Sequence, residues 1–294
     1  MFAILGILIV FGGVIGGYLM EHGKLGVLMQ PAELVIIGGA ALGTILIANP
    51  LPIIIKICKG ILGAFGGSTY TQQFYLENLK MLNQLFVYAR KQGMSQLEKD
   101  IEEPAKSAVF SKFPAFLKNH HAVAFLCDTM RMSISGGLDP FQLDQMMELD
   151  MEVHHKEMHA PVAALSTMAD SLPGLGIVAA VLGVVITMGS LGGPPEEIGH
   201  KVGAALVGTF LGILMCYGLF GPLASNMSKS NDAEAGYYNF LRVGIISYIR
   251  GSPPILAVEF ARRTIPHQVR PSFAEMEKAC KNAPAAAPAP GKTS

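Results

Sequence analysis

The 294-residue sequence has little charge. Aspartate, glutamate, lysine and arginine make up 15% of the residues, against roughly 25% in ordinary soluble domains. Hydrophobic residues make up 51% of the chain and its mean hydropathy is +0.41, so the composition predicts a membrane protein. The formal net charge is zero, and a chain without excess positive charge is not expected to bind nucleic acid.

Cysteine is also scarce. The four cysteines are Cys58, Cys127, Cys216 and Cys280. They form no C-x-x-C pair, which argues against a zinc or dithiol site. A reducing compartment or burial in lipid explains them better than a disulfide framework does.

Charge is absent altogether from four long stretches. These are residues 1–20, 34–55, 171–195 and 202–228, which contain no Asp, Glu, Lys, Arg or His. About 20 apolar residues in a helix cross the hydrocarbon core of a bilayer. The sequence therefore predicts an all-α membrane protein with four transmembrane helices, a large helical cytoplasmic loop between helices 2 and 3, and a cytoplasmic C-terminal segment.

Basic residues give the orientation and the predicted domains. Eleven lie in 56–170 and nine in 229–294, whereas the short loops hold only Lys24 and Lys201. The positive-inside rule then places both large segments and both termini in the cytoplasm. The predicted divisions are a membrane hairpin at 1–55, a cytoplasmic helical domain at 56–170, a second hairpin at 171–228, a helical segment at 229–280 and a disordered Pro/Ala-rich tail at 281–294.

The segment between the hairpins carries helical patterns. Five apolar residues with spacings of four and three predict an amphipathic helix that ends at Gly93. These are Tyr75, Leu79, Leu82, Phe86 and Ala89. Ser95 and Glu98 fit the S-x-x-E capping box and predict the start of the next helix.

No arrangement in the sequence favours an enzyme. His155 and His159 have the i, i+4 spacing of metal ligands, but no third ligand is evident and the surroundings are charged. Spacing alone is a weak signal, so a solvated helix face is favoured. No nucleophile and base can be paired by spacing. We expect no catalytic site, metal or cofactor.

The absence of ionisable groups from the four stretches leaves two alternatives. Ion pathways through membranes normally use acidic or basic residues, so either a partner subunit supplies the titrating group or the chain is a scaffold. Glu33 falls in the first turn of the second span, where the helix dipole favours a carboxylate. Thr209 lies in the middle of the last span, and its hydroxyl could bond to a carbonyl one turn earlier or line a polar path.

Two prolines and several small residues mark the spans. Pro173 is expected near a helix start, with Asp170 or Ser171 as the N-cap. Pro222 should remove the bond to the carbonyl of Gly218 and bend its helix. Small residues recur four apart and allow close helix approach, either within one subunit or in self-assembly. The pairs are Gly12/Gly16, Gly13/Gly17, Gly39/Gly43, Ala179/Gly183 and Gly208/Gly212.

Several stretches together resemble the MotA family, the A subunit of the bacterial flagellar motor stator. They are GGYLM (16–20), QPAELVII (30–37), DSLPGLGIVAAVLGVV (170–185), VGTFLGIL (207–214), PPILAVEFARR (253–263) and RPSFAEME (270–277). The resemblance implies a ring of A subunits, expected to be a pentamer, in the bacterial inner membrane. The ring surrounds MotB-type helices that supply a titrating Asp, and it acts on the rotor switch protein FliG.

The same resemblance assigns roles to six residues. It implies that Arg90 and Glu98 contact the rotor. Pro173 and Pro222 match prolines that couple protonation to movement. Thr209 matches a hydroxyl beside the ion path, and Ala180 matches a position where sodium-driven relatives carry threonine. Because alanine offers no side-chain oxygen, we expect the transported ion to be H⁺.

Two other functions remain open at this point. An energy transducer of the ExbB/TolQ type would pass ion-driven motion to an envelope protein, but such proteins usually have three spans. A self-sufficient channel would conflict with the lack of ionisable residues in the four stretches.

Overall fold

A computed structural model of the protein describes residues 2–136, 138–189 and 192–281. All regular secondary structure in these residues is helical. The α-helices are α1 (Phe2–Met20), α2 (Leu25–Leu28), α3 (Pro31–Ala48), α4 (Leu51–Ala64), α5 (Gln72–Gln92), α6 (Met94–Glu102), α7 (Pro114–Leu117), α8 (His120–Ile134), α9 (Pro140–Met188), α10 (Pro195–Met215), α11 (Gly221–Ile249), α12 (Pro254–Thr264) and α13 (Phe273–Lys281). Short 3₁₀ turns occur at Pro104–Lys106, Phe110–Lys112 and His267–Val269.

The chain forms two compact units. The first unit comprises Met1–Gly67 and Lys156–Asn231, and the second comprises Ser68–His155 and Asp232–Ser294. The predicted divisions at 55, 170 and 228 marked the ends of charge-free sequence. They fall within α4, α9 and α11, and as limits of the membrane they stay a prediction.

Within residues 2–136, 138–189 and 192–281, four helical stretches are long and apolar enough to cross a membrane. They are Phe2–Met20, Leu25–Ala48, Pro140–Met188 and Pro195–Ile249. The number of apolar helices is as predicted. In the second hairpin, however, the helices continue far beyond the charge-free stretches, because amphipathic sequence extends each apolar run without a helix stop.

Pro173 does not begin a helix, so that prediction was wrong. Helix α9 runs without a break through Asp170, Ser171 and Pro173, and it contains a second internal proline, Pro161. Proline interrupts only its own hydrogen bond and clashes with the preceding turn, and apolar packing in a long helix can outweigh that cost. Ser171 donates its hydroxyl to the carbonyl oxygen of Met168 at 2.7 Å, as an interior serine does.

The last span does deviate at its proline. The five residues Cys216–Phe220 form a π-helix between α10 and α11, and the Gly221 amide donates to the carbonyl oxygen of Cys216. Pro222 follows as the second residue of α11. Because proline lacks the amide that would bond to Gly218, an irregularity at this place agrees with the sequence argument, and it takes the form of a π-bulge.

The second unit has an aromatic core. The residues predicted to form one face of α5, namely Tyr75, Leu79, Leu82, Phe86 and Ala89, are all buried. Helices α12 and α13 pack on α5. Tyr237 is fully buried among these side chains, and its hydroxyl donates to Oδ1 of Asn78 at 2.8 Å. The amphipathic pattern of α5 is therefore confirmed.

Two further expectations concern the ends of elements. Helix α6 begins at Met94, with Gly93 as its N-cap residue at φ +86°, so Ser95 is its second residue and the predicted capping box does not start it. Glycine adopts this positive φ at no steric cost. The turn between α5 and α6 is therefore made at Gly93, and α6 begins at the next residue. Of the predicted tail, Lys281 ends α13, and the rest lies outside the described residues.

Candidate functional site

Helices α9 and α10 cross with their backbones in contact. A Cβ atom built on Gly176 would lie 2.7 Å from the carbonyl oxygen of Gly208, and one built on Gly212 would lie 2.5 Å from the carbonyl oxygen of Leu172. Any side chain larger than hydrogen would therefore overlap the facing helix. Two of the small-residue pairs, Ala179/Gly183 and Gly208/Gly212, thus serve packing within one subunit.

The other small-residue pairs face open space in the single chain. A Cβ atom added to any of these glycines would have no other atom within 4 Å. They are Gly12, Gly13, Gly16, Gly17, Gly39 and Gly43. Large apolar side chains of α1 are exposed as well, including Phe2, Leu8 and Ile9. These faces of α1 and α3 are available to lipid or to other subunits.

The two residues predicted to line the ion path lie at the α9–α10 crossing. Thr209 follows Gly208, and its Cα lies 3.2 Å from a Cβ built on Gly176. Ala180 follows Ala179, which contacts Gly208. Both Thr209 and Ala180 are half-buried. The fold therefore brings the backbones that carry these two residues into one crossing, as a shared lining would require.

The two predicted coupling prolines have different surroundings. Pro173 is half-buried and follows Leu172, whose carbonyl oxygen faces Gly212 across the crossing. Pro222 is exposed and stands directly after the π-helical turn. Only Pro173 belongs to the α9–α10 contact, and the coupling role of both stays a prediction.

Glu33 reaches the same crossing, and the sequence argument missed it. It is the third residue of α3 and is 7% exposed. A Cβ built on Gly208 would lie 2.5 Å from its Oε2 atom, and one built on Gly183 would lie 3.7 Å from Oε1. Glycine at position 208 thus leaves the space that the carboxyl group fills.

The burial of Glu33 is not explained by the helix dipole at the start of α3. Its buried Oε2 atom has no hydrogen-bond partner among the residues that the structure describes. A helix N-terminus favours a carboxylate by about 0.3–1 kcal/mol, whereas a buried acceptor without a partner costs about 1–3 kcal/mol and a charged one more. The dipole does not compensate for this burial. The charge-free stretch begins at residue 34, but helix α3 begins at Pro31 and therefore includes this acid.

A sequence signal for Glu33 did exist. The acid stands between Pro31, which begins the helix, and an apolar run that starts at the next residue. The position of Glu33 in the first turn of the second span predicted only a helix-dipole role. The burial of Glu33 depends on where α9 and α10 lie against α3, and the sequence alone does not show this.

The relatives of the chain decide its family. It is 40% identical over 278 residues to Motility protein A of Salmonella typhimurium, a match that covers 95% of this chain and 94% of that relative. The chain belongs to the motility protein A family. Motility protein A of Escherichia coli matches to the same extent, and the chemotaxis protein LafT of Vibrio parahaemolyticus is 35% identical over 93% of this chain and 96% of that relative.

Domain families and solved structures agree with this membership. Residues 4–93 match the family described as Motility protein A N-terminal, and residues 117–239 match the MotA/TolQ/ExbB proton channel family. C. jejuni MotAB has a TM-score of 0.74 at 18% identity, covering 90% of this chain and 95% of that chain. The Bacillus subtilis flagellar MotAB stator complex has a TM-score of 0.70 at 23% identity, covering 87% and 92%. At these identities the likeness shows the fold.

The two residues predicted to contact the rotor lie in the second unit of the chain. Arg90 occupies the last turn of α5 and Glu98 lies on α6, and both are exposed. Helices α5 and α6 pack against each other. Exposure is what a contact surface needs, and the contact itself stays a prediction.

The thiols and histidines give little support to other chemistry. Burial raises the pKa of Cys127 to about 12 and the pKa of Cys280 to about 11, so both stay protonated and are poor metal ligands. His155 and His159 share α9. Within residues 2–136, 138–189 and 192–281, no group of three His, Cys, Asp or Glu side chains is placed to hold a metal ion.

Proposed function

We propose that this chain is the A subunit of a flagellar stator that couples proton flow across the inner membrane to torque on the rotor. It would act with a MotB-type partner whose membrane helix supplies a titrating Asp. The observation that carries the proposal is the 40% identity to Motility protein A over 95% of the chain. The solved MotAB complexes with the same fold support a partner of this type.

The open faces of the membrane helices support assembly. A Cβ atom built on the glycines of α1 and α3 would meet no other helix of the same chain, and small residues let helices of neighbouring subunits approach closely. We infer a ring of A subunits, a pentamer, embedded in the lipid bilayer around the partner helices. The distribution of basic residues supports a cytoplasmic location for both termini and for the segment that carries Arg90 and Glu98.

The residues at the α9–α10 crossing support a proton as the transported ion. Ala180 offers no side-chain oxygen, whereas a metal cation that sheds its water needs several oxygen ligands. Thr209, at the same α9–α10 crossing, carries a single hydroxyl. One charge that crosses 100 mV releases about 2.3 kcal/mol, so torque on a rotor requires many proton passages. Arg90 and Glu98 would pass the movement to the switch protein FliG, with Pro173 and Pro222 as bending points.

An ExbB/TolQ-type energy transducer is the second candidate. The match of residues 117–239 covers a family that includes both kinds of protein. The N-terminal match at residues 4–93 is to motility protein A, and the four long apolar helices exceed the three usual in that group. These two observations favour the stator.

Proton flux in liposomes tests the dependence on a partner. The chain would be reconstituted alone and together with its MotB-type subunit, with an imposed proton gradient and a fluorescent pH indicator inside the vesicles. We expect flux only when the partner is present. Comparable flux from this chain alone would show a self-sufficient channel and contradict the proposal.

A further inference from the structure

Glu33 is a carboxyl group within the apolar part of the molecule. It contacts α9 and α10 five residues before the end of α9 at Met188 and six residues after the charge-free stretch begins at Val202. At 3.6 residues per turn, these positions lie about one and a half turns inside the apolar segments. Water is scarce at such a depth.

Among the described residues, no donor reaches the buried Oε2 atom of Glu33. The carboxyl group lies beside Gly208 and Gly183, and the methyl groups of Ala179 and Ala205 lie close to the same two glycines. Lys201 lies on α10 one turn before Ala205, and its Nζ is 2.8 Å from Oε1 of Glu197. An ionised carboxylate without a hydrogen bond is strongly disfavoured in such surroundings, whereas a protonated carboxylic acid is tolerated.

We propose that Glu33 is a proton-binding site on the ion route, a second acid in addition to the one supplied by the partner. This inference rests on the proposed function. In uptake, a hydronium ion gives its proton to Oε2 of Glu33 and leaves as water. In release, that O–H bond breaks and the proton passes to a carboxylate of the partner helix, so that Glu33 is free to accept the next proton.

The geometry supports this site in two ways. Gly208 lies against the Glu33 carboxyl group and directly precedes Thr209, so the buried acid and the predicted lining hydroxyl belong to the same α9–α10 crossing. Glycine at 208 also admits the carboxyl group, since a methyl group there would lie 2.5 Å from Oε2. A buried acid that were merely structural would be expected to have a fixed hydrogen-bond donor.

Infrared difference spectroscopy tests the protonation state. The wild-type complex with its partner and the Glu33→Gln variant would be compared in lipid at neutral pH. We expect the variant to lose the carbonyl band of a protonated carboxylic acid. Glu196→Gln, which changes an exposed acid in the first turn of α10, should instead lose carboxylate bands. Loss of carboxylate bands in Glu33→Gln would overturn the proposal by showing an ionised group paired with another subunit.

Motility tests whether this proton lies on the route. Glu33→Gln keeps the shape of the side chain but cannot release a proton, and we expect proton flux and swimming speed to fall roughly tenfold or more, with Glu196→Gln unaffected. Wild-type activity in Glu33→Gln would overturn the proposal. Failure of the wild-type pair to restore motility would instead contradict the proposed function, while the infrared result still reports on Glu33.

A measurement on the wild-type complex covers the case in which Glu33→Gln does not fold. Dicyclohexylcarbodiimide is an apolar reagent that couples to protonated carboxyl groups, and mass spectrometry locates its adducts. We expect an adduct on Glu33 and none on Glu196. Labelling of Glu196 without labelling of Glu33 would contradict the proposal.

Discussion

The two units of the chain are packed in opposite ways. In the first unit, glycine and alanine bring α9 and α10 into backbone contact, and large apolar side chains point outward, as Leu42 and Ile186 do. In the second unit the largest side chains are inside, with Phe86 and Tyr237 fully buried. Lipid gives no hydrophobic advantage to burying a large side chain, so helices associate through close backbone approach, whereas water drives large apolar groups into a core.

The two units also differ in the surroundings of their acidic side chains. Glu259 of the second unit accepts hydrogen bonds from Arg262 at 2.6 and 2.8 Å and from Arg263 at 2.7 Å. Glu33 of the first unit is more deeply buried, and its Oε2 atom has no partner. The first arrangement stabilises a charge, and the second favours a neutral acid.

Removal of a core ring should have the largest effect. Phe86 is fully buried and stacks on Tyr248 with ring centroids 4.4 Å apart. Phe86→Ala should lower the free energy of unfolding by about 3–5 kcal/mol through lost burial and a cavity. Denaturant titration of the purified protein, followed by tyrosine circular dichroism, measures this change. Phe260→Ala, at a residue 48% exposed, is the control, and equal losses would show that the aromatic core has no special role.

Removal of the charge on Glu259 should have the next largest effect. Its hydrogen bond to Arg262 lowers the pKa of Glu259 below 4.5, so this carboxylate stabilises the fold above pH 4.5 and the contribution is lost as the pH falls below that value. Glu259→Gln should therefore cost about 1.5–3 kcal/mol at pH 7 and progressively less in acid. Unfolding curves of both proteins from pH 7 to pH 3 test this, and a constant difference would contradict the assignment.

A single methyl group tests the close crossing of the first unit. Gly212→Ala places its Cβ against the carbonyl oxygen of Leu172 and should cost about 1–3 kcal/mol through overpacking. Gly203→Ala on the same helix meets no atom within 4 Å and should be neutral or slightly stabilising. Thermal unfolding in detergent compares the two variants. Equal melting temperatures would mean that α9 and α10 do not pack this closely.

Charge reversal on the exposed surface should change stability least. Arg90→Glu lies in the last turn of α5 with its side chain exposed, and surface substitutions usually stay within about 0.5 kcal/mol. We expect normal membrane expression but reduced motility, measured by immunoblot and swimming assays. If expression is lost instead, Arg90 is structural and its predicted contact with the rotor is unsupported.

Local pattern was enough to predict part of this structure. The spacing of Tyr75, Leu79 and Phe86 predicted α5, because helical periodicity is written in neighbouring residues. Pro222 indicated an irregular helix, because a proline removes one backbone hydrogen bond of its own helix. By contrast, Ser95 fitted a capping motif that the positive φ of Gly93 displaced.

The remaining features depend on contacts between distant residues. Pro173 looked like a helix start, yet α9 continues through it, because packing can outweigh local propensity. Glu33 fitted a helix-dipole role, and only its contact with Gly208, 175 residues further along the chain, reveals its burial without a partner. Of the site residues named from family resemblance, Pro173, Ala180 and Thr209 lie at the α9–α10 crossing, and the roles of all six stay predictions that involve other subunits.

Motility restored under defined ions tests the central claim most directly. A strain that lacks its own stator would receive this gene together with the neighbouring gene for the B-type subunit, in medium without sodium. We expect swimming that requires both genes and persists without sodium. Swimming that requires sodium would contradict proton coupling, and no swimming despite normal expression of both subunits would contradict the stator function.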